Sequence, residues 1–433
     1  MLVNFSFSNY KCFKDKVTLS LVSCDSKGDG IYSKRSEFSY SVLKSIVIYG
    51  ANASGKSKLF DALLFFKSIV CPPKINKTVP LFDFWCDRYK PFGLNDYSET
   101  EPSEFEVVFI IGKIQYRYGI KIKKNKIISE WLYRKEQREA KSFVREDNKF
   151  DVTSHIDKKI ADNLIKSNMI SESASFLTIL KTFNEPLAIQ ICDWFNNISI
   201  ISGNELMGSD MTGLMDNDMK NKVISLIKNF DFNIEDFKPH EISKDDIPEK
   251  IKQSIGKEKL ESAKFFDDMN TYHKFYNSNY ERMEDDAVFS LSKDESWGTN
   301  RLVRLSLSII SALEKNSLIF IDEFDSGFHS LVLQGLMELF YLDKDSEAQI
   351  VCNLHNTSLL DAKLKHNPTN KLLRKDQVYF TNKNRYGEAT IDALTDYEGD
   401  LRSSIEKKYL SGEFDAVPCV NLNYIIERRS YEE

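Results

Sequence analysis

A chain of 433 residues with 42% hydrophobic content can bury a large core in two or three domains, or in one large domain with an insertion, and its composition is neither fibrous nor disordered. Its 59 basic and 65 acidic residues leave a net charge of −6, so no global positive field argues for nucleic acid. Seven scattered cysteines without a CxxC pair indicate neither a disulfide framework nor a zinc ribbon, and a reducing cytoplasm is the simplest compartment.

The N-terminal MLVNFSFSNYKCF alternates like a strand and lacks the pattern of a signal peptide. No apolar run approaches the ~20 residues of a membrane span, so a soluble chain with no membrane partner is expected. Leu2 to Phe7 and Val17 to Val22 alternate as strands, and Ser45 to Tyr49 form the continuous apolar run of a buried strand. Residues 57–70, SKLFDALLFFKSIV, have helical spacing. Residues 71–103 read as loop, and Glu104–Tyr133 alternates as two or three strands of an antiparallel sheet. Lysine clusters at 121–126 (KIKKNK) and 134–145 read as a solvated hairpin rim, or as a modest basic face. From about 150 to 285 the texture is charged and helical, with amphipathic segments at 156–184 and 187–197 and a Lys/Glu/Asp-rich stretch at 232–286. The α/β pattern then returns: a helix at 300–314, strand 317–321, a helix near 328–341, and strands at 349–354, 377–381 and 389–394. The expected domains are an N-terminal lobe (1–150), a helical insertion (151–286) suited to oligomer or effector contacts, and a C-terminal lobe (287–433).

Residues 50–57, GANASGKS, fit G-x-x-x-x-G-K-[ST] between a buried strand and a helix. In this pattern Gly50, Asn52, Ser54, Gly55 and Lys58 shape or flank a loop whose backbone N–H groups wrap phosphate. Lys56 reaches the terminal phosphates and Ser57 ligates Mg²⁺. The bland alternative is a tight turn with an exposed lysine. Residues 317–323, SLIFIDE, end a strand in two acids: Asp322 would hold Mg²⁺ through water, and Glu323 would orient or deprotonate the attacking water. Together they predict a site for ATP and Mg²⁺. ESWGTNR at 295–301 precedes a helix, and His355 follows the strand IVCNLH.

The strings NFSFSNYKCFKDKVTLSL, GANASGKS, SEFEVVF, YRYGIKI, ESWGTNRL, IDEFDSGFHSLV, QIVCNLHNTSLLD, RKDQVYF and KKYLSGEFDAVP span nearly the whole chain. With them the sequence resembles the ABC-type ATPases of the SMC, RecF and OLD group, and within it the AAA_15-type proteins of bacterial defence, including ATPase subunits of PARIS (AriA-like), RloA-like and abortive-infection systems. The resemblance implies an α/β fold: an ABC-type ATPase head with a mixed sheet core carrying the P-loop, an antiparallel β-subdomain and a helical insertion. It further implies that ATP lies between two heads. Ser296 and Gly298 would form the signature loop, Asp325 the D-loop and His355 the switch histidine, and Lys11 would face nucleotide. Three departures stand out: Trp297 inside the signature, Asn356 where an acid is common, and no assignable Q-loop glutamine.

The function so implied is a homo-oligomeric sensor or scaffold ATPase of anti-phage defence. It would control a separate toxic nuclease effector of the TOPRIM type and respond to a phage-derived trigger. A nuclease within the same chain is not expected, because Asp392, Asp396 and Asp400 after His355 are scattered through loop-like sequence. The alternative is a RecF- or SMC-like repair ATPase that binds DNA. A transporter ATPase fits the antiparallel N-terminal sheet poorly.

Overall fold

The computed structural model describes residues 1–25, 30–32, 38–75, 79–167, 170–202, 211–242, 265–398 and 403–418. In chain order the strands are β1 (Leu2–Ser8), β2 (Val17–Ser20), β3 (Ile31–Tyr32), β4 (Val42–Leu43), β5 (Ser45–Gly50), β6 (Lys74–Ile75), β7 (Val79–Pro80), β8 (Ser103–Ile111), β9 (Ile114–Lys123), β10 (Lys126–Lys135), β11 (Glu139–Glu146), β12 (Lys149–Val152), β13 (Ser199–Ile201), β14 (Asp236–Ile242), β15 (Phe265–Tyr276), β16 (Arg282–Ser290), β17 (Leu318–Ile321), β18 (Gln349–Asn353), β19 (Val378–Lys383) and β20 (Ala389–Ala393). The helices are α1 (Lys56–Val70), α2 (Lys158–Lys166), α3 (Phe176–Thr182), α4 (Pro186–Asn196), α5 (Asn217–Lys228), α6 (Trp297–Glu314), α7 (Ser330–Leu342) and α8 (Ile405–Leu410). Two compact units result. One comprises Met1–Ile200, Asn316–Phe324 and Leu333–Glu433, the other Ile201–Lys315 and Asp325–Val332.

The first unit is built around α1. A six-stranded sheet of order β13-β17-β18-β5-β19-β20 holds β17, β18, β5 and β19 parallel, with β20 antiparallel at its edge. β5 and β18 are buried at every position, which is why their sequences read as apolar runs without alternation. The second sheet, β12-β11-β10-β9-β8-β1-β2, is an antiparallel meander closed by the N-terminal hairpin. Here β8 alternates buried and half-buried residues, as a sheet with one solvated face should. α1 buries apolar residues on two faces because both sheets need it, leaving Ser57, Lys58, Asp61 and Lys67 on a narrow polar strip. Phe60 meets Phe320 of β17 with ring centroids 5.1 Å apart, while Phe66 meets Phe105 and Tyr118 of the meander at 5.8 and 5.7 Å. Thus the expected mixed core with an antiparallel β-subdomain is the architecture found.

Two buried polar side chains fix this packing. Gln349 of β18 donates to the Leu2 and Leu43 carbonyls (3.0 and 2.9 Å) and accepts from Leu2 N at 2.6 Å, tying the meander to the core. Glu130 of β10, fully buried, accepts from Tyr118 OH (2.9 Å), Ser175 Oγ (3.0 Å) and the backbone N–H groups of Phe176 and Leu177 (2.7 and 3.0 Å), anchoring α3. Burial, reinforced by that carboxylate, pushes the Tyr118 phenol well above its ordinary pKa. Glu130→Ala strands four donors away from water. It is expected to cost about 3–5 kcal/mol, read as a lower urea midpoint at unchanged slope.

In the second unit α5 packs on α6, and an antiparallel sheet of order β14-β15-β16 contributes Phe237, Met269 and Thr271 to the interior. This corrects the helical reading of 232–286: Asp236–Ile242, Phe265–Tyr276 and the residues from Arg282 onward are strands. The physical reason is exposure. Most of β16 faces solvent, so its sequence, RMEDDAVFS, carries no burial period, and pairing to β15 makes it a strand. Residues 243–264 of that stretch lie outside the described residues. The segment 156–184 divides into α2 and α3, N-capped by Asp157 and Ser175. The KIKKNK lysines surround the β9–β10 turn, where Lys124 and Asn125 adopt φ of 48° and 62°, a two-residue hairpin with primed-turn geometry.

Candidate functional site

β5 delivers the chain at Gly50, and residues 51–55 turn back so that α1 begins at Lys56. Gly55 takes φ +120°, open to glycine and strained for any other residue, and this lets the loop close onto the helix. Lys56 is buried, its Nζ donating to the carbonyls of Gly50 (2.7 Å) and Ala51 (3.0 Å), so the ammonium sits inside the loop. Ser54 Oγ meets Thr381 Oγ1 of β19 at 2.5 Å, which fastens the loop to the neighbouring strand. Ser57 Oγ donates to Asp322 Oδ1 at 3.0 Å across the sheet.

β17 and β5 are separated by β18, and that intervening strand supplies the residue that joins the acids. Asn353 at its end donates through Nδ2 to Asp322 Oδ1 and accepts at Oδ1 from Glu323 N (2.6 Å), while its carbonyl accepts from Phe324 N (3.1 Å). Glu323 is thereby held at φ 51°, a left-handed conformation uncommon outside glycine and a frequent mark of a functional turn. Its side chain is exposed toward a cleft of about 750 Å³ lined by Asn52, Ser54, Gly55, Lys56, Ser57, Lys58, Asp322, Glu323 and His355. The structure therefore brings the loop, both acids and the histidine to one place. Lys11 lines the same cleft while ion-paired to Asp61 of α1. Burial pushes the neighbouring Cys12 thiol upward in pKa. Among the described residues lining the cleft there is no glutamine.

Asn353, Thr381, Lys383 and Cys12 are site residues that sequence reading missed. Asn353 had the one available signal, a polar residue that closes the apolar run Ile350–Cys352 two positions before His355.

The second unit holds Ser296, Gly298 and Asp325. Ser296 N-caps α6, accepting from Thr299 N at 3.0 Å, and Asp325 opens a turn in which Phe328 N donates to its carbonyl at 3.2 Å. Asn356 explains itself locally: its side chain accepts from Ser358 N and Oγ (3.0 and 2.6 Å), capping the 3₁₀ turn Thr357–Leu360 after His355. That turn is tethered by Asp361, which accepts from Ser404 Oγ (2.6 Å), Ile405 N (3.2 Å) and Glu406 N (3.1 Å) and pairs with Lys371 (3.0 Å). Partial burial alone would raise the Asp361 pKa, but these donors outweigh it and hold the carboxyl at about 2. A depressed carboxylate stabilises the fold above its unfolded value near 4 and loses that stabilisation as pH falls towards 2. Asp361→Asn should therefore cost about 1–2 kcal/mol at neutral pH, and thermal melts of variant and parent should converge as pH drops through that window.

Asp396 of the tail accepts from Ala393 N at 3.0 Å, a local cap, and Asp400 lies outside the described residues. Among the described residues no group of three or more His, Cys, Asp or Glu is placed to hold a metal ion, and no helix is long and apolar enough to cross a membrane.

A P-loop after a buried parallel strand, an acid pair at the end of a second parallel strand, and an antiparallel sheet on the other side of the P-loop helix define a P-loop α/β core with an attached antiparallel sheet. The chain belongs to the AAA_21 family, described as "AAA domain, putative AbiEii toxin, Type IV TA system", whose model matches residues 45–361. The sequence resemblance points to AAA_15; the model that matches is AAA_21. By structure the chain is similar to the SMC head domain from Thermotoga maritima (12% identity, TM-score 0.38, 90% of this chain and 98% of that one). It is similar also to an SMC head bound to the C-terminal winged-helix domain of ScpA (13%, 0.43, 94% and 99%). A third is an SMC head with an extended coiled coil bound to the C-terminal domain of ScpA derived from Pyrococcus furiosus (13%, 0.37, 95% and 98%). No curated protein matches the chain by sequence.

Proposed function

We propose that this chain binds and hydrolyses ATP, and that it does so as the sensor or scaffold subunit of an anti-phage system whose toxic effector is a separate chain. The observation that carries the ATPase reading is the 3.0 Å approach of Ser57 Oγ to Asp322 Oδ1, with Lys56 inside the loop and Glu323 adjoining. Two hard oxygen donors side by side suit Mg²⁺, and the buried ammonium within the loop suits the terminal phosphates. Ser57 and Asp322 would hold the ion, which when bound neutralises charge on the phosphate oxygens. Glu323 takes the proton of a water that attacks the γ-phosphorus. The bond from that phosphorus to the bridging oxygen breaks, and ADP leaves. Gly50, Asn52, Ser54, Gly55 and Lys58 shape the phosphate loop, and His355 borders the same cleft.

In this reading Ser296, Gly298 and Asp325 serve the nucleotide of a second copy, so ATP is both substrate and the reason two heads associate. The family description, which names a toxin of a toxin–antitoxin system, supports a defence role, and a cytoplasmic setting accords with the free cysteines. The test is to purify the protein with ATP from cells expressing its native operon and to identify by mass spectrometry what accompanies it. A stoichiometric small nuclease or toxin is expected. Recovery of homo-oligomer with nucleic acid and no second protein would contradict the effector role and favour DNA repair.

A further inference from the structure

Trp297 lies inside the signature turn, and its indole fills the space that a side chain at Gly327 would need. An ideal Cβ at Gly327 would stand 2.2 Å from Trp297 Cζ3 and 2.6 Å from Cε3. Gly327 also has φ +79°, so both its backbone and its missing Cβ are matched to the ring. One residue further on, a Cβ at Gly298 would stand 2.9 Å from the Gly327 carbonyl oxygen. The signature turn and the loop after Asp325 thus touch at two consecutive positions.

Arg301, one helical turn along α6, completes the arrangement. Its guanidinium is 1% exposed and lies 5.3 Å from the Trp297 ring centroid and 5.8 Å from that of Phe328, the residue after Gly327. Both rings thus face one desolvated guanidinium, a geometry in which cation–π attraction is strongest. Core packing alone does not account for the tryptophan, since 48% of it remains exposed. What the ring does is fix two loops to each other.

We propose that Trp297 is a positioning residue that makes the signature turn and residues 325–328 one body. A phosphate engaged by Ser296 and Gly298 then sets the position of Asp325 and of the peptide that starts two residues after Glu323. The inference rests on the ATPase reading and adds the part that relates signature contact to the hydrolytic acid. A smaller residue at 297 would leave the signature able to contact phosphate while the loop after Asp325 no longer follows it.

The experiment is steady-state ATP hydrolysis by the full chain with Mg²⁺, comparing Trp297→Ser and Trp297→Phe. Trp297→Ser should lower kcat about tenfold or more with the KM for ATP unchanged, because misplacing a reacting group costs rate rather than ground-state binding. Trp297→Phe, whose ring can still lie on Gly327 and face Arg301, should restore most of that loss. Wild-type kcat in Trp297→Ser, or an equal loss in the phenylalanine variant, would overturn the proposal. A wild-type chain that hydrolyses no ATP would overturn the ATPase reading and this inference with it.

Discussion

Glu323→Gln is expected to bind ATP normally and to release phosphate about a hundred- to ten-thousandfold more slowly, the range spanned by loss of a positioned general base. The substitution conserves shape, and residue 323 is held in its left-handed backbone through peptide N–H groups, Glu323 N on the Asn353 side-chain Oδ1 and Phe324 N on the Asn353 carbonyl. The backbone should therefore stay in place while the proton acceptor is lost. Because ATP is proposed to join two heads, the variant should also accumulate an ATP-dependent associated species, visible by sedimentation. Unchanged turnover would remove Glu323 from the mechanism. Asn353→Ala offers an independent approach to the same acids: it releases Asp322 and Glu323 together and should lower turnover with the acids themselves intact.

Lys56→Ala should abolish function at an earlier step. The ammonium is enclosed by the Gly50 and Ala51 carbonyls, so it is preorganised where the loop's N–H groups would receive phosphate. A charge-assisted hydrogen bond of this kind is worth about 1.5–3 kcal/mol, so calorimetry should show ATP affinity falling roughly tenfold to a hundredfold. Lys158, exposed at the start of α2 and outside the cleft, is the control: its alanine variant should bind within about threefold of the parent, as surface charges at a distance contribute little. Equal affinity in Lys56→Ala and the parent would mean that the loop does not bind phosphate.

How much of this was legible in the sequence follows from the range of the interactions involved. The phosphate loop is local: its glycines, lysine and serine lie within eight positions, and the strand before them is buried on both faces, so pattern and context coincide. Asp322 and Glu323 were legible for the same reason, as the end of a short apolar strand. Asn353 and Thr381 act across strand register, through β18 and β19, and their own neighbourhoods in sequence say nothing of the loop they brace. Gln349 is the same case in the fold, one side chain joining two sheets over more than three hundred residues. The strands from Asp236 to Ser290 were misread as helix because solvent-facing residues record charge rather than periodicity. Trp297 and Asn356 stood out as departures from the signature and switch patterns, and each is answered by a contact that spacing alone cannot display: Gly327 beneath the indole, and the capped turn after His355.

The most direct test of an ATPase built on Lys56, Asp322 and Glu323 is single-turnover release of labelled phosphate from γ-labelled ATP by the purified chain in excess over nucleotide. Wild-type protein should release the label only with Mg²⁺ present, Glu323→Gln should retain it as bound ATP, and Lys56→Ala should bind less of it and release it more slowly. Release at the parent's rate by both variants, or none by the parent under conditions where it binds ATP, would contradict the assignment.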